Sequence, residues 1–494
     1  VAVGYAAGNN LTTGIRNTLI GGIAGDALTD ADYNTAVGMG ALSSDTLGSK
    51  STAIGQSTLN AQNFTTATDT YNTAVGAFAG QSVTTGLYNT LIGGLAGDAL
   101  TDADHNVAIG FNALSSDTLG SASIAIGKGA LNGQNFTTAT TAYNVAVGHS
   151  AGTSVTTGIQ NVLIGGLAGD AITDADYNVA VGSQAMGDNT VGSKSVAVGY
   201  TALTSQNPAT ATDMYNTAVG FQAGSNVTTG QDNTIVGGLA GDAMTTGASN
   251  TAIGMSALTT NTAGNKNVAV GFRALNTYNN NSSTDAYNTA VGYDAGLEIT
   301  TGNQNTLIGG LSGNAITTGG GNTIVGYNNA APAVDNNFSI IIGTGVTGVG
   351  GDNFTIGRAT LDSNIAFGAT SITAPSDERY KENIENSTAG LSFINDLRPV
   401  TFQWKKEKNI PSDHRSYVED SENRVMNDYT NHGFIAQEVK TAIDNHAELK
   451  DGFDMWSEDP IDGRQRLGPA SLIPMLVKAI QELSAEIETL KSGG

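Results

Sequence analysis

Over roughly the first two thirds of the chain, apolar and polar positions alternate in short bursts at even spacing. Each burst reads Asn or Ser, a small β-branched residue, Ala or Leu, Val or Ile, then Gly, as in Asn34-Thr35-Ala36-Val37-Gly38. The bursts open at Asn17, Asn34, Ser51, Asn72, Asn89, Asn106, Ser123 and Asn144, and continue to Ser339. Successive steps are 17, 17, 21 and 17 residues, so a super-repeat of 72 overlies the basic unit. Asn17, Asn89, Asn161, Asn233 and Asn305 all open a sub-variant that ends in two glycines. A period this regular means a solenoid, and a 17-residue unit is too short for a helical hairpin.

The expected coil is one short strand, a turn, a second short strand and a return turn. Alternation puts Thr35 and Val37 on one face and Ala36 on the other, leaving room for another layer or chain. The Gly that follows, as at Gly38, Gly76, Gly110 and Gly148, suits a turn with positive φ. The four extra residues of every fourth coil, for example within 60–70, read as a loop protruding from the same edge each time. Twenty coils at the inter-strand spacing give a rod of about 95 Å. The apolar residues are small, so a single roll is expected to bury little alone, which favours three chains side by side.

After Ser339 the spacing fails, and 344–375 reads as a short β-rich cap or neck over the last strand edge. Near the C-terminus the pattern changes again. Ile473, Leu476, Ile480, Leu483, Ile487 and Leu490 follow steps of three and four, an a/d seam on a helix at about 470–491. The plain alternative is one amphipathic helix packed on its own domain.

Composition sharpens the division. Residues 1–375 hold seven Lys or Arg against twenty-two Asp or Glu, with Glu298 the one glutamate. Residues 376–494 hold fourteen against twenty-two, and both tryptophans, Trp404 and Trp456. With a net charge of −23 and no basic patch, nucleic-acid binding is not expected. There is no cysteine, hence no disulfide or thiolate metal site. No apolar run is long enough to span a membrane, so no insertion is expected. The sequence starts inside a repeat, and an upstream attachment region is expected.

The repeats resemble the heads of trimeric autotransporter adhesins, left-handed parallel β-rolls built from Asn/Ser-x-Ala-Ile/Val-Gly units. Four landmarks follow in the C-terminal segment: Ser-Asp-Glu-Arg-Tyr-Lys-Glu-Asn-Ile at 376–384, Leu-Arg-Pro-Val-Thr-Phe-Gln-Trp at 397–404, His-Gly-Phe-Ile-Ala-Gln-Glu-Val at 432–439 and Leu-Ile-Pro-Met-Leu-Val-Lys-Ala-Ile-Gln-Glu-Leu at 472–483. In this order they resemble the intramolecular chaperone domain of phage tailspikes, endosialidases and other fibres. That resemblance implies a domain that trimerises, templates the fibre ahead of it and cuts itself off with a Ser–Lys dyad. The matching residues are Ser376 and Lys381, and the scissile bond would be Pro375–Ser376.

A serine hydroxyl needs a base, and lysine serves when burial or a nearby cation favours its neutral form. Arg379 is such a cation. Residues five apart on one helix lie about 140° out of line, so a bend or a neighbouring subunit must unite the pair. The bland alternative has Ser376 capping a helix and Lys381 solvated. Among other candidates, Asp30/Asp32, Asp102/Asp104 and Asp174/Asp176 could hold Ca²⁺, but Asx turn caps are the simpler reading. His105, His149, His414, His432 and His446 have neither metal nor triad spacing.

The sequence therefore predicts a mainly β, homotrimeric parallel β-roll or β-solenoid shaft over 1–343, a cap over 344–375 and a small α+β chaperone domain over 376–494 ending in a coiled-coil helix. The expected role is structural and adhesive: a phage tail fibre joined to other virion proteins through that upstream region, assembled in the host cytoplasm and binding a bacterial surface glycan or protein. A bacterial trimeric surface adhesin and a capsule depolymerase with inter-chain sites are the alternatives. No cofactor or resident metal is called for, and the one reaction expected is a single self-cleavage.

Overall fold

The computed structural model describes residues 1–369, 372, 376–414, 416–459 and 463–493. The chain divides into two compact units, Val1–Pro375 and Ser376–Gly494.

The first unit is a parallel β-solenoid. Each coil contributes one three-residue strand, such as Thr18–Ile20, Thr35–Val37 and Thr52–Ile54, paired in register with the next. Alternation works as the pattern predicts. Ala36 and Ala53 point into the coil and are fully buried, while Thr35 and Val37 face outward. The expected second strand is absent from most coils. Two-residue strands occur beside the longer coils, as in the parallel pair Gly48–Ser49 and Thr68–Asp69. Elsewhere the return path is made of turns, because closing 17 residues demands several left-handed positions per coil. In one coil these are Gly21, Ile23, Gly25 and Tyr33. Gly38 shows why the motif glycine is strict. It sits at φ 139°, and a Cβ there would lie 2.2 Å from the Gly55 carbonyl oxygen of the next coil. The longer coil does protrude, with Thr65, Thr66 and Ala67 exposed at its tip.

The expectation that one roll buries little is wrong. Leu19, Leu42, Leu59 and Leu91 join the alanines in one continuous core, each at most 1% exposed. Volume is shared between positions: where Leu19 replaces the central Ala, Gly25 stands where the next coil has Leu42. A Cβ on Gly25 would come within 2.8 Å of Leu19. The motif asparagines form a second, polar spine. Asn17 Oδ1 accepts from the Asn34 backbone N–H at 2.9 Å, and its Nδ2 donates to the Ala31 carbonyl at 2.7 Å. Asn34 does the same for Ser51 and Gly48. Where Ser51 replaces Asn, Gln62 reaches in and bonds Ser51, Asp45 and Asn72.

The last coils leave the repeat. Strands lengthen at Thr323–Tyr327, Ile340–Thr344 and Asn353–Arg358, and the step shortens to 14 residues where Ile340 pairs with Phe354. Leu361–Ala366 then turns back antiparallel on Asn353–Arg358.

The second unit is a small α+β body. Helices α1 (Leu391–Asp396), α2 (Ala436–Asn445) and α3 (Ile473–Ser492) accompany two antiparallel strand pairs, Val400–Phe402 with Asn431–Gly433 and Trp456–Glu458 with Gln465–Leu467. Its core is Phe393, Val439, Ala442, Ile443, Leu449, Met455 and Leu472 with Ala389. Helix α3 uses one face within the unit: Ala479 is buried, and the Glu482 carboxylate accepts the Leu391 backbone N–H at 2.7 Å, anchoring the start of α1. All six seam residues, Ile473 to Leu490, lie on exposed positions.

Candidate functional site

Ser376 and Lys381 meet within one chain. Lys381 Nζ donates to Ser376 Oγ at 2.7 Å, and both side chains are exposed. A bend joins them, with no second subunit required. Glu378–Tyr380 forms one turn of 3₁₀-helix, and Lys381 leaves it in extended conformation, with its backbone N–H donating to the Glu378 carbonyl at 3.0 Å. Extended backbone at Asp377 and Lys381, on either side of the single turn, lets the two residues meet where a regular helix would hold them apart.

The N-cap of the turn is Asp377, one residue beyond the serine that simple capping would favour. Its Oδ1 accepts the Arg379 backbone N–H at 2.9 Å. The same carboxylate takes the Arg379 guanidinium, with Nε at 3.0 Å from Oδ1 and an Nη at 2.6 Å from Oδ2. Arg379 holds the Asp377 carboxyl below the usual carboxylate range. The cation invoked for Lys381 is thus already paired with Asp377. Pro375, the other half of the expected scissile bond, lies outside the described residues. Asp377 is not among the expected site residues, and its one signal in the sequence is an Asp just before a turn.

The other candidates take structural places. Asp32 Oδ1 accepts the Ile15 backbone N–H at 2.7 Å, Asp104 does the same for Leu87, and Asp30 bonds Thr13. These aspartates brace turns against the preceding coil. Among the described residues no group of three or more His, Asp or Glu could hold a metal ion. His105 stacks on Tyr88 with centroids 4.8 Å apart. His446 bridges Asp396 at 2.9 Å and Glu448 at 3.2 Å, and the Asp396 carboxylate raises its pKa most. A cavity of 790 Å³ in the second unit, walled by Phe402, Trp404, Met426 and Phe434, does not include the dyad.

Residues 376–448 match the family described as chaperone of endosialidase. No curated protein and no solved structure matches the chain. The match begins at Ser376 and covers three of the four landmarks, so the resemblance drawn from them holds there. Residues 376–448 are a chaperone-of-endosialidase domain, and in this chain they follow a parallel β-solenoid shaft of 17-residue coils.

Proposed function

We propose that the chain is the shaft of a homotrimeric phage tail fibre or tailspike, carrying a C-terminal chaperone that assembles it and then cuts itself off. The observation that carries this reading is the 2.7 Å contact between Lys381 and Ser376 at the first residues of the chaperone match. In the proposed step, Ser376 Oγ attacks the Pro375 carbonyl carbon while Lys381 takes the hydroxyl proton. The Pro375–Ser376 peptide bond breaks, the Ser376 nitrogen leaves as an amine after receiving a proton, and an ester joins residue 375 to Ser376 Oγ. Water then hydrolyses that ester, giving a carboxylate on the shaft and restoring the serine. The base role needs lysine without its proton, a form that burial favours. Because Lys381 is exposed in the single chain, its covering is assigned to neighbouring chains.

Two exposed surfaces support the trimer. One is the α3 seam. The other is the outward column of Ile20, Ile54, Ile92, Ile164, Ile253 and Ile308 and the β-branched residues between them, more than a third exposed at each named isoleucine. The mature trimer then presents its acidic shaft and cap to a bacterial surface glycan or protein, as part of the virion. Intact mass spectrometry of the folded protein tests the cut. Wild type should yield fragments separated at Pro375–Ser376 without added protease, at a rate independent of dilution. Ser376→Ala should abolish cleavage and Lys381→Ala should abolish or greatly slow it. Uncleaved wild type after prolonged incubation would contradict the reading.

A further inference from the structure

The dyad partners are five positions apart in the sequence, and an extended chain would hold them about 17 Å apart. Their contact therefore depends on the 3₁₀ turn between them. A single turn has little stability of its own, since nucleating a helix fixes several dihedrals for one hydrogen bond. Among the described side chains packing gives this one little support: Glu378, Arg379 and Lys381 are all exposed. What closes the turn is local. Asp377 caps the free Arg379 N–H, and the Lys381 N–H donates to Glu378 at the other end.

We propose that Asp377 is a positioning residue for the self-cleavage, holding the turn that sets Lys381 against Ser376, with Arg379 as its clamp. The inference rests on the cleavage reading given above. Two contributions can be ranked. The ion pair has side chains 83% and 39% exposed, and surface pairs of this kind contribute little. An N-cap acceptor contributes more than an exposed ion pair of this kind. The cap is therefore the main device, and the guanidinium keeps the carboxylate oriented toward the N–H. The pairing has a second consequence: it offsets a positive charge two residues from the catalytic lysine. Removing Asp377 acts in two opposed ways, loosening the geometry while leaving Arg379 uncompensated, a change that favours neutral lysine.

The test compares cleavage half-times of the full-length, folded protein across pH for wild type, Asp377→Ala, Asp377→Asn and Arg379→Gln. Asn keeps a side-chain oxygen for the cap but loses the charge. Asp377→Ala should slow cleavage at least several-fold at its pH optimum, and Asp377→Asn should restore most of that loss. Arg379→Gln should cost less than Asp377→Ala. A structural lesion elsewhere would not be rescued by Asn, and light scattering should show the same assembly for all four proteins. The midpoint of the pH–rate profile in Asp377→Ala should move down, since Arg379 is then unpaired. If Asp377→Ala cleaves at the wild-type rate, or if Asn fails to rescue it, the positioning role is wrong. If wild type itself stays intact, the cleavage reading fails first.

Discussion

Along the solenoid one chain completes its own interior, whereas helix α3 leaves its apolar seam open. Leu19, Ala36, Leu42 and Ala53 are at most 1% exposed, but the six seam residues range from 42% for Leu483 to 76% for Leu490. The asparagine spine makes the same point in polar terms. Asn89 Oδ1 accepts the Asn106 N–H at 2.9 Å and its Nδ2 donates to the Ala103 carbonyl at 2.7 Å, without help from another molecule. A coil specifies its neighbour through hydrogen bonds and core volume, so the shaft's local fold is written in every repeat. A trimer has no comparable instruction in the coil interior. Its outward column is apolar but nearly uniform, and uniform faces specify register weakly. The seam of α3 is short and distinct, and at roughly 1.5–3 kcal/mol for each fully buried large side chain it could contribute several kcal/mol per chain. On the trimeric reading proposed above, the difference assigns coil folding to the shaft and chain assembly to the tail.

The sharpest way to break the shaft half of this comparison is Asn89→Ala. It orphans the buried Asn106 N–H and Ala103 carbonyl together, at roughly 1–3 kcal/mol per group. Unfolding rates of the folded protein should rise markedly against an exposed control such as Thr85→Ala. Equal rates would mean the spine is dispensable.

A smaller effect, of opposite sign, is expected at Asp45. Burial raises its pKa, despite hydrogen bonds from Phe64, Gln62 and Gly48 that act the other way. A carboxyl with a raised folded-state pKa opposes folding at neutral pH, and the opposition fades as pH falls through that folded value toward the unfolded one. Two super-repeats further on and again at the next, Asn189 and Asn261 occupy the same place, and each accepts or donates within its own turn. Asp45→Asn should therefore be neutral to slightly stabilising at pH 7, with the advantage shrinking on acidification. Denaturant unfolding at the two pH values measures it, and a clear loss of stability at pH 7 would show that the ionised carboxylate is needed.

How much was legible in the residues follows physical lines. The step of 17, the inward Ala36, the positive φ at Gly38 and the protruding longer coil all follow from period and side-chain size, and each appears as read. The absence of a second strand is not legible because positive φ at Ile23 and Tyr33 is unfavourable for such residues, and only closure of the coil imposes it. Self-burial is not legible because coil by coil the apolar residues are few. Stacking makes one core of them, with Leu19 and Gly25 exchanging volume across positions. At the candidate site Ser376 and Lys381 could be named, but the means of contact could not. A 3₁₀ turn capped by Asp377 has no periodic signature.

The division of labour has one direct test: light scattering of 1–375 prepared in two ways. Made without residues 376–494, it should be monomeric or aggregated. Folded with them and separated afterwards, it should remain at about three chain masses and unfold slowly. A shaft synthesised alone that assembles into a soluble trimer matching the processed one would contradict the account.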